Sequence, residues 1–194
     1  MFRTNNTNYY IGMTRFDTNT WIENTNFRSD NRIDGCIYAS PRSPSLCIPI
    51  DSVIFVLEML NINQKKSIGY PGKILGIGII RNRPKPYHFH VYEDRNYNRY
   101  LYAGNYRFDR RDADPAQENV FLKLDEVCFK GKTHLKRGQG ITLFPQRLLQ
   151  LEMFHPLAEI CTQLLYRYRR EAQDVLLDDG EEKDKKEEKE KKDT

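Results

Sequence analysis

Val53–Met59, VIFVLEM, is the stretch that most restricts what this chain can fold into. β-branched and aromatic residues dominate it, and no polar side chain interrupts it before Glu58. A strand with one wet face alternates polar and apolar positions, so this run is expected to be buried on both faces. Ile74–Ile80 (ILGIGII) is a second run of the same kind, with Gly76 and Gly78 on one face. Glycines there predict close approach of another backbone, or a bulge. Without a third glycine and a following helix, the GxG is no dinucleotide fingerprint.

Shorter elements are expected around these two. Tyr9–Thr14 and Cys36–Ser40 read as strands, the second stopped by Pro41 and Pro44. Tyr87–Tyr92 alternates, with Tyr87, Phe89 and Val91 on one side. Arg99–Asp109 reads as a strand or a pair of strands, with Tyr100, Tyr102, Tyr106 and Phe108 sharing a face. Asp17–Thr20 offers N-caps for a short helix at Trp21–Asn24 that ends near Phe27. Arg110–Glu118 reads as a polar loop and Val120–Phe129 as a short helix. Gln146–Arg170 has helical periodicity broken at His155, because Pro156 is badly placed in a helix interior. About six strands without strand–helix alternation predict an α+β fold. The expected form is a small mixed or antiparallel β-barrel with a short early helix and C-terminal helices packed outside. Residues 1–8 are expected to be a flexible N-terminus, 9–145 the barrel domain, 146–177 a C-terminal helical segment and 178–194 a disordered charged tail.

Charge narrows the function. The last seventeen residues carry nine acids and six lysines, a net −3, so the preceding 177 carry +7, with 25 basic residues against 18 acidic. Within that body, Lys130–Pro145 (KGKTHLKRGQGITLFP) has four basic side chains and no acid. It reads as an anion-facing loop ending in a short strand. Arg81–Arg111 holds eight basic residues against three acids, interleaved with eight aromatics. Phosphates would attract Arg81, Arg83, Arg99, Lys132, Lys136 and Arg137, with His134 at the same rim. Tyr97, Tyr92 or Trp21 could stack on an unpaired base, and Gln139 and Asn98 offer amide edges for hydrogen bonding to it.

Other chemistries find less support. GxSxG and Walker spacing are absent, and no activated nucleophile or Mg²⁺-binding acid cluster stands out, so no catalytic residue is expected. Asp94 and Asp109 are the acids a nuclease reading would rest on. His88 and His90 have HxH spacing but no nameable third ligand, so neither a metal nor a cofactor is expected. Cys36, Cys47, Cys128 and Cys161 lack CxxC spacing and read as reduced thiols. Met1–Tyr10 is polar and Asn-rich, and no apolar run approaches a membrane span. An intracellular chain without membrane contact is the expectation.

The order of strand, Trp-bearing helix, Tyr38-Ala39-Ser40-Pro41, VIFVLEM, GIGII and basic loop resembles the PUA-like barrels, closest to the EVE, YTH and ASCH branches. IFVLEM, NYNRY and FKGKTHLKRGQGITLFP also resemble small uncharacterised proteins of large nucleocytoplasmic DNA viruses. The resemblance covers about Tyr9–Pro145. It implies a non-catalytic barrel that reads RNA or DNA, often holding one modified or flipped base in an aromatic-lined pocket. By position Trp21 and Ser40 would line that pocket, with Tyr97 as the stacking ring. The chain lacks the tryptophan trio of a methyl-adenine cage. The alternative expectation is a virion-associated or other interaction module whose C-terminal helices meet a protein partner.

Overall fold

A computed structural model describes residues 2–4, 7–44, 47–62, 72–86, 89–130, 135 and 139–170. Lys132, His134, Lys136, Arg137, Tyr87, His88 and the charged tail lie outside the described residues.

The VIFVLEM run lies in β4 (Val53–Asn61), and its successive residues feed two different cores. Val53, Phe55, Leu57 and Met59 enter one, while Ile54 and Val56 enter the other. Both faces are therefore covered, which explains the missing alternation. The main sheet runs β1 (Phe2–Thr4), β2 (Thr7–Phe16), β4, β5 (Gly72–Arg81) and β7 (Tyr106–Asp109), with β8 (Thr142–Leu143) added on the β2 edge. β2 and β4 are parallel, from Tyr9↔Val53 to Phe16↔Leu60. Every other pairing is antiparallel, so the sheet is mixed.

A second sheet pairs β3 (Cys36–Ser40) with β6 (Tyr100–Gly104). β6 and β7 are separated by Asn105 alone, so one strand serves both sheets. That turn divides the aromatic set expected on one face: Tyr100 and Tyr102 join one core, Tyr106 and Phe108 the other. Among the described residues the ladders form these two sheets and no closed ring. The architecture is α+β.

Helix α1 (Thr18–Asp30) covers the β3 side, with Asp17 and Thr20 forming a reciprocal capping box. Opposite it, α2 (Pro115–Phe129) packs Phe121, Leu124 and Cys128 into the other core. The polar loop expected up to Glu118 is thus a helix start: Asp114 caps it and Pro115 takes the first helical position, where proline loses no hydrogen bond. After α3 (Gln146–Leu149) and a 3₁₀ turn at Glu152–Phe154, α4 spans 155–170. Leu157, Ile160, Leu164 and Leu165 of α4 complete the α2-side core, so this helix spends its apolar face within the chain. No helix among the described residues is long and apolar enough to cross a membrane. None of the four cysteines is in a disulfide, and Cys36, Cys128 and Cys161 are buried.

The glycines of β5 mark a bulge and, at Gly76, the close approach of the Phe108 carbonyl. The β4–β5 register shifts after Glu58↔Gly76 to Met59↔Ile74, leaving Leu75 as an extra residue. At Gly78 a Cβ would stand 2.0 Å from the Tyr38 hydroxyl and 2.7 Å from Cys36 Sγ, so only glycine lets β3 lie this close.

Residues 89–92, expected to be a strand, are irregular. Asn98 explains why: its Oδ1 accepts from the amides of Val91 (2.9 Å) and Tyr92 (3.1 Å), taking bonds a neighbouring strand would need.

Candidate functional site

At the end of the main sheet where β2 stops, a cavity of about 290 Å³ opens. Its walls come from Thr14–Phe16, the cap residues Asp17 and Thr20, Ala39 and Pro41 at the end of β3, and Asn61 at the end of β4. Tyr92, Tyr97, Gln139 and Gly140 complete it. The parallel β2–β4 pair is what brings Arg15 beside Asn61, since Arg15 and Met59 are register partners. Arg15 Nη2 donates to the Leu135 carbonyl at 2.6 Å and Nη1 to Asn61 Oδ1 at 3.5 Å. Leu135 is the described residue at the middle of the basic stretch.

Tyr97 is 39% exposed and stands edge-on to buried Tyr92, with ring centroids 6.2 Å apart. The short 3₁₀ turn Arg95–Asn98 that carries it is fixed from below by Asn98. Besides its two acceptor bonds, Asn98 donates through Nδ2 to the carbonyls of Tyr92 (2.6 Å) and Asp94 (3.3 Å). The sequence offered Asn98 as an amide for a base. The structure buries it at 7% exposure and commits its bonds to the turn, so it positions Tyr97 instead.

Ser40 lies beneath the cavity wall, 2% exposed. Its hydroxyl donates to the Arg42 carbonyl and accepts from the Arg42 amide. Gly140, with φ +76°, comes down on it; a Cβ there would sit 2.4 Å from Ser40 Oγ.

Trp21 is in a different cavity. It packs edge-on against Phe16 at 5.1 Å, and the guanidiniums of Arg28 and Arg107 each lie 5.6 Å from its ring centroid. This second cavity, about 380 Å³, is also lined by Lys73, Leu75, Asp109, Arg110 and Arg111. Phe16 lines the first cavity and Trp21 the second, so this ring pair is the wall between them.

Beneath the second cavity lies an ionic network that sequence reading did not find. Arg107 donates through Nε to both Glu58 oxygens (3.0 and 2.8 Å) and through Nη1 to Asp109 Oδ2 (2.7 Å), and Tyr38 donates to Glu58 Oε1 (2.9 Å). Glu58 is 1% exposed. Burial, with Cys36 and Glu58 nearby, pushes the Tyr38 hydroxyl well above its usual range. Arg110 ties α2 to the bulge of β5: it bonds Glu118, Asp125 and the Ile74 carbonyl, while Asp125 accepts from the Ile74 amide.

Burial works to raise the Asp109 carboxyl, but hydrogen bonds from Arg111 and Arg107 outweigh it and hold it well below the usual carboxylate range. Its folded pKa is thus depressed below an unfolded value of about 3.9. The stability this adds is full above that value and is lost as pH falls through it. Urea titrations at a series of pH values should show wild-type stability dropping below about pH 4, and a shallower acid limb in Asp109→Asn.

The remaining sequence-selected cations are scattered. Arg81 lies at the opposite end of β4 from the first cavity, paired in register with Val53, roughly 25 Å along the strand from Asn61. There its Nε donates to the Tyr168 hydroxyl at 2.6 Å. Arg83 forms a two-point ion pair with Asp51. Arg99 stacks over Tyr100 at 5.6 Å, next to the Tyr97 turn. Asp94 caps that turn through Asn96, and His90 is exposed. Among the described residues no group of three or more His, Cys, Asp or Glu could hold a metal ion.

No family model, curated protein or solved structure matches this chain. Its functional reading therefore rests on the two cavities themselves.

Proposed function

We propose that this chain is a non-catalytic nucleic-acid-binding domain that takes an unpaired or flipped base of RNA or DNA into the first cavity. The observation that carries this reading is the meeting of Tyr97 and Gln139 in one cavity with Arg15. A base has a π-face to stack and polar edges to satisfy. Tyr97 supplies an exposed ring, and Gln139, Asn61, Arg15, Asp17 and Thr20 supply donors and acceptors around it. Arg15 also fastens Leu135, which lies between His134 and Lys136 in a stretch with four basic residues and no acid. The fold we propose is PUA-like: the shared β6–β7 strand carries the β3–β6 pair over one face of the main sheet, as a barrel wall would. A binder is favoured over an enzyme because Asp109 is engaged by arginines and Asp94 by its own turn.

Fluorescence anisotropy with labelled single-stranded oligonucleotides tests the proposal. Affinity should fall steeply with salt. Tyr97→Ala should cost about 1–3 kcal/mol of binding through lost stacking, with little change in melting temperature because the ring is partly exposed. Absence of binding by the wild type at about 50 mM salt would overturn the reading.

A further inference from the structure

We infer that the second cavity is a phosphodiester subsite, taking a backbone phosphate of the same strand whose base enters the first cavity. This rests on the nucleic-acid reading above and extends it to a second place on the molecule.

Five basic side chains line or edge this cavity (Arg28, Lys73, Arg107, Arg110 and Arg111), with Asp109 as the one lining acid. Internal carboxylates neutralise three of the five. Arg107 has Glu58 and Asp109, Arg110 has Glu118 and Asp125, and Arg111 has Asp109. Arg28 and Lys73 pair with no carboxylate among the described residues. Arg28 donates through Nη1 to the Gly35 carbonyl at 3.1 Å, while its Nε is buried without an acceptor. A guanidinium with no carboxylate beside it keeps its full charge, and a phosphate is the anion whose geometry best suits it. The wall is preorganised, since carboxylates hold three arginines and the Trp21 ring lies against two guanidiniums. Proximity favours a polymer over a free anion: the rings dividing the cavities, Phe16 and Trp21, are only 5.1 Å apart. A nucleic-acid strand can offer a base to one side of that divide and a phosphate to the other.

Trp21 is the chain's one tryptophan, so its emission reports on this cavity without a label. The full chain is titrated with a single-stranded mixed-sequence 12-mer over a series of salt concentrations. Trp21 emission should change saturably. Arg28→Gln and Lys73→Gln should each weaken binding several-fold on any sequence and reduce the slope of log K against log salt by about 0.7. Tyr97→Ala should weaken binding and leave that slope unchanged. Lys73 is exposed, so its variant carries no folding burden, and a melting curve checks Arg28→Gln. If both charge variants keep the wild-type slope while Tyr97→Ala weakens binding, the subsite is wrong and the base cavity stands. If the wild type fails to bind the 12-mer at low salt, both readings fail together. If poly-glutamate alters Trp21 emission and the 12-mer does not, the cavity serves an acidic protein segment and the inference is overturned.

Discussion

Glu58→Ala should destabilise the fold by about 3–5 kcal/mol, because it takes the more deeply buried of two carboxylates from the Arg107 guanidinium and leaves it Asp109 alone. The Tyr38 hydroxyl loses its acceptor in the same step. For a chain of this size the loss corresponds to a melting temperature about 10 °C lower. Thermal and urea denaturation read it directly. A double variant, Glu58→Met with Arg107→Met, should recover most of the loss, since replacing a whole buried pair by apolar side chains is often neutral. A Glu58→Ala chain as stable as wild type would show that the pair is not closed in solution. The double variant also separates stability from binding. It removes a lining cation of the second cavity while keeping the first cavity intact.

Asn98→Ala is the second large effect. It removes the acceptor for two backbone amides and the donor to two carbonyls in one substitution, with only the bond to Asp94 reaching the surface. Buried groups left without partners cost about 1–3 kcal/mol apiece, and partial rehydration of the turn brings the net to about 2–4 kcal/mol. Oligonucleotide affinity should fall about tenfold or more as well, because the turn that presents Tyr97 loses its fixed geometry. Asn98→Asp keeps the acceptor but not the donors and should fall between the two. If Asn98→Ala destabilised the chain while leaving affinity untouched, Tyr97 would not be the stacking ring.

Much of the fold was legible because its signals are local. Pro41 and Pro44 stop β3 where the sequence says, and Pro156 stands in the first turn of α4, with the break between the late helices falling just before it. α1 runs longer than its composition suggests, since asparagines and threonines are weak helix formers. Tertiary anchoring sustains it: buried Asn24 donates to the Ile37 carbonyl and the Tyr92 hydroxyl. The irregular 89–92 segment was hidden because a side chain, Asn98, supplies its hydrogen bonds.

Of the first cavity, Tyr97 and Gln139 could be named from residue type alone. Arg15, Asp17 and Asn61 could not, since only the β2–β4 pairing places those strand ends together. The arginines at 107–111 were visible as a basic, aromatic stretch. Their partners Glu58, Glu118 and Asp125 come from β4 and α2, and no spacing rule announces them. That is why Trp21 was placed with Tyr97 rather than with the arginines.

The pairing of Gly12 with Leu143 has a consequence for how quickly this protein folds. Besides the local β1 hairpin, β2 is completed by β8, near the far end of the described residues. Its other neighbour, β4, pairs in parallel across a long intervening stretch. Closing loops of such length costs chain entropy before any contact repays it, so folding should be slow. The β1–β2 hairpin is local and forms cheaply, whereas the β4 and β8 pairings of β2 must wait for long loops to close and so set the pace of folding.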